Sequence, residues 1–361
     1  MANAVGHLTI DLKALAKNYR LFNSLGPAEV AGIVKANAYG IGLKPVTEIL
    51  LAEGCRTFFT ATFDEALTVR SLAPGVTIAL LSGVLPGEEA ELVRHDITPV
   101  LNSREMLDRW INTARSENKK LSAILHVDTG INRLGLGPDE TSGLLKDTSC
   151  LENLNVICVM SHFACADEKD HPLNEAQAKR FAEIARHFPD VPKSLANSSG
   201  IFRNPDWHYN MIRPGYALYG GNPLPETNNP VRPVIALKTP IVQIRNVRKG
   251  ESIGYGSAYT FEQDATTATL PVGYADGFFR SAGNKAKVFW NGQPCPVRGR
   301  VSMDLVTIEI GHLTGKPPEP GDFVEILGPH QTIDDLAADA GTIGYEILTS
   351  LSHRYRREYL A

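Results

Sequence analysis

The chain has 361 residues, 43% of them hydrophobic, and a formal net charge of −4. That length exceeds one ordinary core and calls for two domains, or a barrel with an addition. A slightly acidic chain without a long basic block is not built for nucleic acid, and no run approaches the 18 apolar residues of a membrane span.

The opening stretch, MANAVGHLTIDLKALAKNYR, lacks a basic start followed by an apolar run, so no signal peptide is expected. Next, IDLKALAKNYRLF places Leu12, Leu15, Ala16, Tyr19 and Phe22 on one helical face. Short β-rich runs then alternate with helical patterns over the first 220 residues. They are VAGIVKA (30–36), TFFTA (57–61), TIALLSG (77–83), ITPVL (97–101), AILHVD (123–128), NVICVMSHF (155–163), SLANSS (194–199) and NMIRPGYALYG (210–220). Thr62 and Glu65 have the spacing of a capping box, as do Asn102 and Glu105, and 175–187 reads as a further helix. The runs are continuously apolar rather than alternating, as in strands covered on both faces. Eight of them predict an N-terminal (β/α)8 TIM-like barrel over 1–230. A doubly wound open sheet would want a GxGxxG turn after its first strand, and none is present.

After Gly221 the pattern changes. PLPETNNPVRPV (223–234) is a connector, followed by LKTPIVQIRNV (237–247), TATLPVGY (267–274), KAKVFWNGQPCPV (285–297), VTIEI (306–310) and DFVEIL (322–327). Trp290-Asn291-Gly292-Gln293 is a hairpin signal. A mainly antiparallel β domain is therefore expected over 231–361, with about its last 30 residues helical and HRYRRE (353–358) as a solvated helix face. The five cysteines show no CxxC spacing and read as reduced thiols of a cytoplasmic protein, where Asn197-Ser198-Ser199 is no glycosylation site.

Polar residues gather where barrel strands end, which is where this fold does its chemistry. Lys35 closes the first strand, His126 and Asp128 the fifth, His162 the sixth, and Asn197 and Ser198 the seventh; Arg213 and Gly215 lie in the eighth. A lysine at one strand end alone reads as a solvated lysine, and GYGSAY (254–259) alone as a plain turn. Five strands aiming polar groups at one rim predict an active site. Ser198 and Gly215-Tyr216 are candidates for phosphate, and a rim lysine opposite a phosphate site suits a bond to a carbonyl or to pyridoxal phosphate. His126, Asp128 and His162 offer metal-ligand types, but without HxxE or HExxH spacing no metal is expected.

In order along the chain, VKANAYG (34–40), VDTGINRLG (127–135), MSHFACAD (160–167), ANSSG (196–200), MIRPGYALYG (211–220), GYGSAY, VGYADGF (272–278), RVSMD (300–304) and TIGYE (342–346) resemble alanine racemase. The resemblance runs from about Leu8 to Arg356. It implies a fold-type III pyridoxal-phosphate enzyme that interconverts L- and D-alanine for peptidoglycan. It also implies a homodimer whose β domain reaches the other subunit's active site. Lys35 would carry the pyridoxal 5'-phosphate, and Tyr255 would come from the partner. Arg133 would meet the cofactor's phenolic oxygen and the substrate. Arg213, beside His162, would face the pyridine nitrogen. Tyr39, Ser198, Gly215, Tyr216 and Tyr345 would hold the phosphate. Met303 would lie near the substrate carboxylate, Tyr274 at the entrance, and Asp304 and His126 behind them. A broad-spectrum racemase and a fold-related decarboxylase are the competing readings, the latter disfavoured by the GYGSAY tyrosine.

Two residues depart from the family pattern. His126 stands where many relatives carry a carbamylated lysine that orients the arginine, and Tyr216 replaces an aliphatic residue. Lysine and tyrosine both have ordinary pKa values of about 10, too high for a base at neutral pH, so both are expected to be lowered. Tyr255, Tyr345 and Met303 are expected to leave room for little more than a methyl group, with serine turned over slowly.

Overall fold

The computed structural model describes residues 5–361; the first four residues of the stretch read for a targeting signal lie outside that range. Parallel strands Gly32–Ile33, Thr57–Thr60, Thr77–Leu80, Thr98–Leu101, Leu121–His126, Leu154–Met160 and Lys193–Ser194 follow one another in a single sheet. Glu29–Val30, one residue before the first of these, pairs in parallel with Met211–Ile212 and so closes the barrel. Thr57–Thr60 and Thr98–Leu101 are buried at every position, as the continuous apolar runs predict.

The seventh and eighth strands are shorter than their sequence runs. Asn197 accepts the Gly200 amide and starts a helix, Ser198–Arg203, while Pro214 has no N–H to continue a ladder. The chain after it turns through Tyr216–Tyr219 instead. Thr62 and Glu65 form the expected capping box on Phe63–Leu72. Asn102 does not cap; Ser103 accepts the Met106 amide at the start of Arg104–Ser116, and Asn102 turns inward.

The second region is a six-stranded sheet, a three-stranded sheet and a two-stranded hairpin of Ser252–Ile253 with Tyr259–Thr260. The largest has the order Gln293–Pro296, Lys287–Trp290, Phe323–Leu327, Ile235–Pro240, His7–Asp11, Arg356–Leu360. The chain's first strand therefore belongs with the C-terminal strands, antiparallel to Ile235–Pro240 and parallel to Arg356–Leu360. The basic run at 353–358 is not a helix face. It leads into that edge strand, where Arg357 meets backbone, donating to Gly40 O at 2.6 Å and to Leu351 O at 3.2 Å. Charge spacing alone could not reveal this, because a charged edge strand and a charged helix face share a composition. The 290–293 hairpin forms, with Asn291 and Gly292 at φ +47° and +80°, as a type I′ turn requires. Helices Ile333–Ala340 and Gly344–Thr349 precede the last strand.

Asn18, on the buried face of Leu12–Ser24, ties the barrel to the connector. Its amide donates to Leu218 O and Arg232 O at 3.2 and 2.9 Å, and its carbonyl accepts the Arg232 amide at 2.8 Å. Replacing it with a leucine leaves one buried and two part-buried backbone groups without this partner. Asn18→Leu is expected to destabilise the fold by about 3 kcal/mol, read as a lower urea midpoint with unchanged far-ultraviolet dichroism. An unmoved midpoint would show the link to be dispensable.

Candidate active site

Lys35 ends the first barrel strand in an unusual way. The four residues after it, Ala36, Asn37, Ala38 and Tyr39, all have φ between +52° and +54°. Left-handed backbone costs L-residues roughly 1–2 kcal/mol each, so surrounding bonds must hold the turn. Ala38 N and Gly40 N donate within it, to Val34 O and Ala36 O, both at 2.8 Å. The Asn37 side chain accepts the Leu43 amide at 2.8 Å. Glu65, the capping-box glutamate, accepts the Asn37 amide at 3.2 Å as well as those of Ala61 and Thr62. The turn presents the Lys35 amine to a cavity, and burial followed by the Arg133 charge lowers its pKa, opposed by Glu65.

The cavity has a volume of about 920 Å3 and opens at the C-terminal rim of the barrel. Ten of the residues that the resemblance assigns line it: Lys35, Tyr39, His126, Arg133, His162, Ser198, Arg213, Gly215, Tyr216 and Tyr345; the strand-end Asn197 joins them. The Arg213 guanidinium is buried; it donates to Ser194 Oγ at 2.5 Å and Ser161 O at 2.6 Å, and lies 3.4 Å from His162 Nδ1. Burial pushes its pKa down to about 10, which leaves it cationic at neutral pH. Burial and then Arg213 hold His162 well below the ordinary histidine value, and the same two causes push His126 down to about 4. Both imidazoles are neutral in the folded chain.

At the far end Ser198 Oγ accepts the amides of Gly215 and Ala217 at 3.0 and 3.2 Å. Its own hydrogen is left to donate to a ligand oxygen. The Tyr39 hydroxyl closes on Gly215, where an added Cβ would stand 2.3 Å from it. Tyr216 does more than lend backbone. Its hydroxyl donates to Asp334 at 2.7 Å, and its ring stacks on Tyr345 at 4.0 Å. Gly221 and Gly344 make room for it, since a Cβ at either would lie within 2.0 Å of its side chain. The departure at 216 thus fastens Tyr345 over the cavity.

The four remaining candidates do not line this cavity. Tyr255 is 74% exposed, Met303 54% and Tyr274 43%. They form a second cluster on the β region. Tyr274 N and Ala275 N donate to Ser302 O and Met303 O, and Arg354 joins Asp304 at 2.8 Å to the buried Asp276 at 3.3 Å. The glycines flanking Tyr255 pack against Arg300 of the same segment. Sequence reasoning passed over Glu65, Asn102 and Asp334 as participants. Glu65 carried a local signal, its capping box. Asn102 and Asp334 act across more than 20 residues of chain, and nothing local marks them.

Three basic side chains, Lys35, Arg133 and Arg213, face the cavity, with Glu346 the one carboxylate in its lining. A lysine amine, a buried guanidinium with no carboxylate partner among the described residues, and a hydroxyl-and-backbone cradle fit an anionic aldehyde such as pyridoxal phosphate.

Fold and site thus define a chain of the barrel-plus-β-domain class with a lysine at the barrel mouth. Residues 10–223 match the family described as "Alanine racemase, N-terminal domain", and residues 234–359 match "Alanine racemase, C-terminal domain". An "Alanine racemase" of Acidiphilium cryptum is 47% identical over 97% of this chain and 97% of its own length. The "Alanine racemase, catabolic" of Agrobacterium fabrum is 44% identical over 99% and 92%. A crystal structure of alanine racemase from Bartonella henselae with covalently bound pyridoxal phosphate superposes with a TM-score of 0.96 at 36% identity, covering 99% of this chain and all of that one. The chain belongs to the alanine racemase family.

The neutral imidazoles imply a pH dependence of stability. Below the ordinary histidine value of 6.5 the unfolded chain takes up protons at these positions and the folded chain does not. Their contribution is complete above about pH 6.5 and falls as pH drops toward about 4. His126→Gln is expected to flatten the urea-midpoint profile across that window. A profile as steep as wild type would contradict the buried neutral state.

Proposed function

We propose that this protein is an alanine racemase that carries pyridoxal 5'-phosphate on Lys35 and supplies D-alanine for peptidoglycan in the cytoplasm. No helix among the described residues is long and apolar enough to cross a membrane. We propose that it works as a homodimer of chains divided, apart from the His7–Asp11 strand that joins the second sheet, into a barrel up to residue 230 and a β domain (231–361), each β domain completing the other chain's cavity. One observation carries this reading. A lysine-bearing cavity and an exposed tyrosine–methionine cluster lie apart on one chain, and each has what the other lacks.

When bound, pyridoxal phosphate makes the Cα–H of an attached amino acid acidic by spreading negative charge into its ring. The chain then has to move one proton on each face of Cα. Lys35, with its lowered pKa, takes and returns the proton on the D-face at Nζ. Tyr255 of a second copy does so on the L-face at its phenolic oxygen. Ser198, Tyr39, Gly215, Tyr216 and Tyr345 hold the phosphate. Arg133, aided by the backbone near Met303, orients the substrate. Tyr274 and Asp304 shape the entrance. Arg213, backed by His162, faces the pyridine nitrogen and keeps its own proton there.

Borohydride reduction of the loaded enzyme, followed by peptide mapping, is expected to leave a pyridoxyl group on the Lys35 peptide; an adduct elsewhere would overturn the site. In heavy water, Tyr255→Phe is expected to lose L-alanine Cα exchange by at least about a hundredfold while D-alanine exchange survives better, and Lys35→Ala in methylamine to show the reverse bias. Equal losses on both faces would contradict the two-base assignment. Arg213→Glu places a group at the ring nitrogen that can share a proton. It is expected to raise side transamination, read as pyruvate formed per racemisation; an unchanged ratio would defeat this role.

A further inference from the structure

The buried imidazole of His126 has one nitrogen satisfied and one bare. Nδ1 lies 2.7 Å from the Asn102 carbonyl oxygen. The orientation of that amide is settled by its other end, which donates to Leu81 O at 2.9 Å; a reversed amide would set two acceptors against each other. Nδ1 therefore carries the hydrogen, and Nε2 is an unprotonated acceptor. His126 is 6% exposed, and Nε2 has no hydrogen-bond partner among the described residues. An unpaired buried acceptor is costly, and this one belongs to a side chain of the cavity wall.

Three cationic donors face the same cavity. Arg213 is committed to Ser194, Ser161 and the neighbourhood of His162. Lys35 is assigned to the cofactor, a clause that rests on the reading above. Arg133 remains, and its loop is built onto His126 and Asn102. Leu136 N donates to His126 O at 2.8 Å, and Gly135 N to Asn102 O at 3.2 Å. The loop's turn is gathered by the Asp128 carboxylate, which accepts the amides of Gly130, Ile131 and Asn132 at 2.8 to 2.9 Å.

We infer that Asn102 locks His126 in its Nδ1-protonated tautomer so that Nε2 accepts a hydrogen bond from the Arg133 guanidinium and aims it into the active site. His126 is then a positioning residue. It supplies a neutral acceptor where an anionic group would otherwise be needed. Its neutrality follows from burial and from Arg213 and Arg133, which outweigh the opposing charge of Asp128.

The test uses the holoenzyme labelled with 15N-histidine, with the His126 signals assigned by their loss in His126→Gln. Nδ1 is expected in the protonated range and Nε2 in the unprotonated range from about pH 6 to 9. Arg133→Lys is expected to shift the Nε2 resonance and leave Nδ1 in place. Asn102→Leu is expected to give a mixture of tautomers. In kinetics, His126→Leu and Arg133→Lys should each lose about tenfold to a hundredfold in kcat/KM, with the double variant no worse than the weaker single. A protonated Nε2, an Nε2 signal indifferent to Arg133→Lys, or losses that multiply would overturn the inference. The spectra stand whatever the activity of the variants. A pyridoxyl adduct away from Lys35 would instead sink the functional reading and leave the tautomer intact.

Discussion

Everything at this site depends on one strained piece of backbone. A strand that continued past Val34 in extended form would alternate its side chains between the barrel interior and the surrounding helices. Four left-handed residues in succession instead stop the chain at the rim, leave the Lys35 amine facing the cavity, and bring the Tyr39 hydroxyl back across to Gly215. Such a conformation survives only when its surroundings determine it. Here they do, through the Glu65 carboxylate, the Asn37 side chain and the bonds inside the turn. The same capping box that begins a helix also holds the loop that bears Lys35.

The second constraint is electrostatic. A cavity with three cationic side chains and little compensating charge is costly without an anion, and each cation lowers the proton affinity of its neighbours. The Lys35 amine is shifted toward its neutral form, and both imidazoles stay neutral. Arg213 escapes only because a guanidinium can lose considerable proton affinity and remain charged. A cofactor bearing phosphate supplies the missing negative charge. An exposed patch of Tyr255, Tyr274, Met303 and Leu305 is likewise unusual on a chain that stays alone. In the homodimer proposed above, a second copy would cover that patch.

Much of this was legible in the residues. The alternation of apolar runs and helices announced the barrel, and the polar strand ends announced its rim, because burial on both faces leaves no other place for lysine, histidine and arginine. The Thr62–Glu65 box and the Asn291-Gly292 turn read correctly because both are local. Three things were not legible. His7–Asp11 joins a sheet formed more than 200 residues later, so no local pattern could remove it from the barrel. The 353–358 run leads into an edge strand because Arg356–Leu360 pairs with His7–Asp11, a partner at the other end of the chain, while Arg357 reaches the Gly40 carbonyl. Asn102, placed as a cap, was drawn inward by His126, a partner that only the parallel sheet brings near. Tyr216 was visible as an oddity, but its reason, Asp334 and the stacked Tyr345, lies more than 100 residues away.

The central claim is that a working site needs Lys35 from one chain and Tyr255 from another. Refolding a one-to-one mixture of Lys35→Ala and Tyr255→Phe chains tests it directly. Half the dimers should then be mixed, each with one intact site of two, so activity should recover to about a quarter of wild type. A mixture no more active than its components would place both residues in the same chain's site and contradict the account.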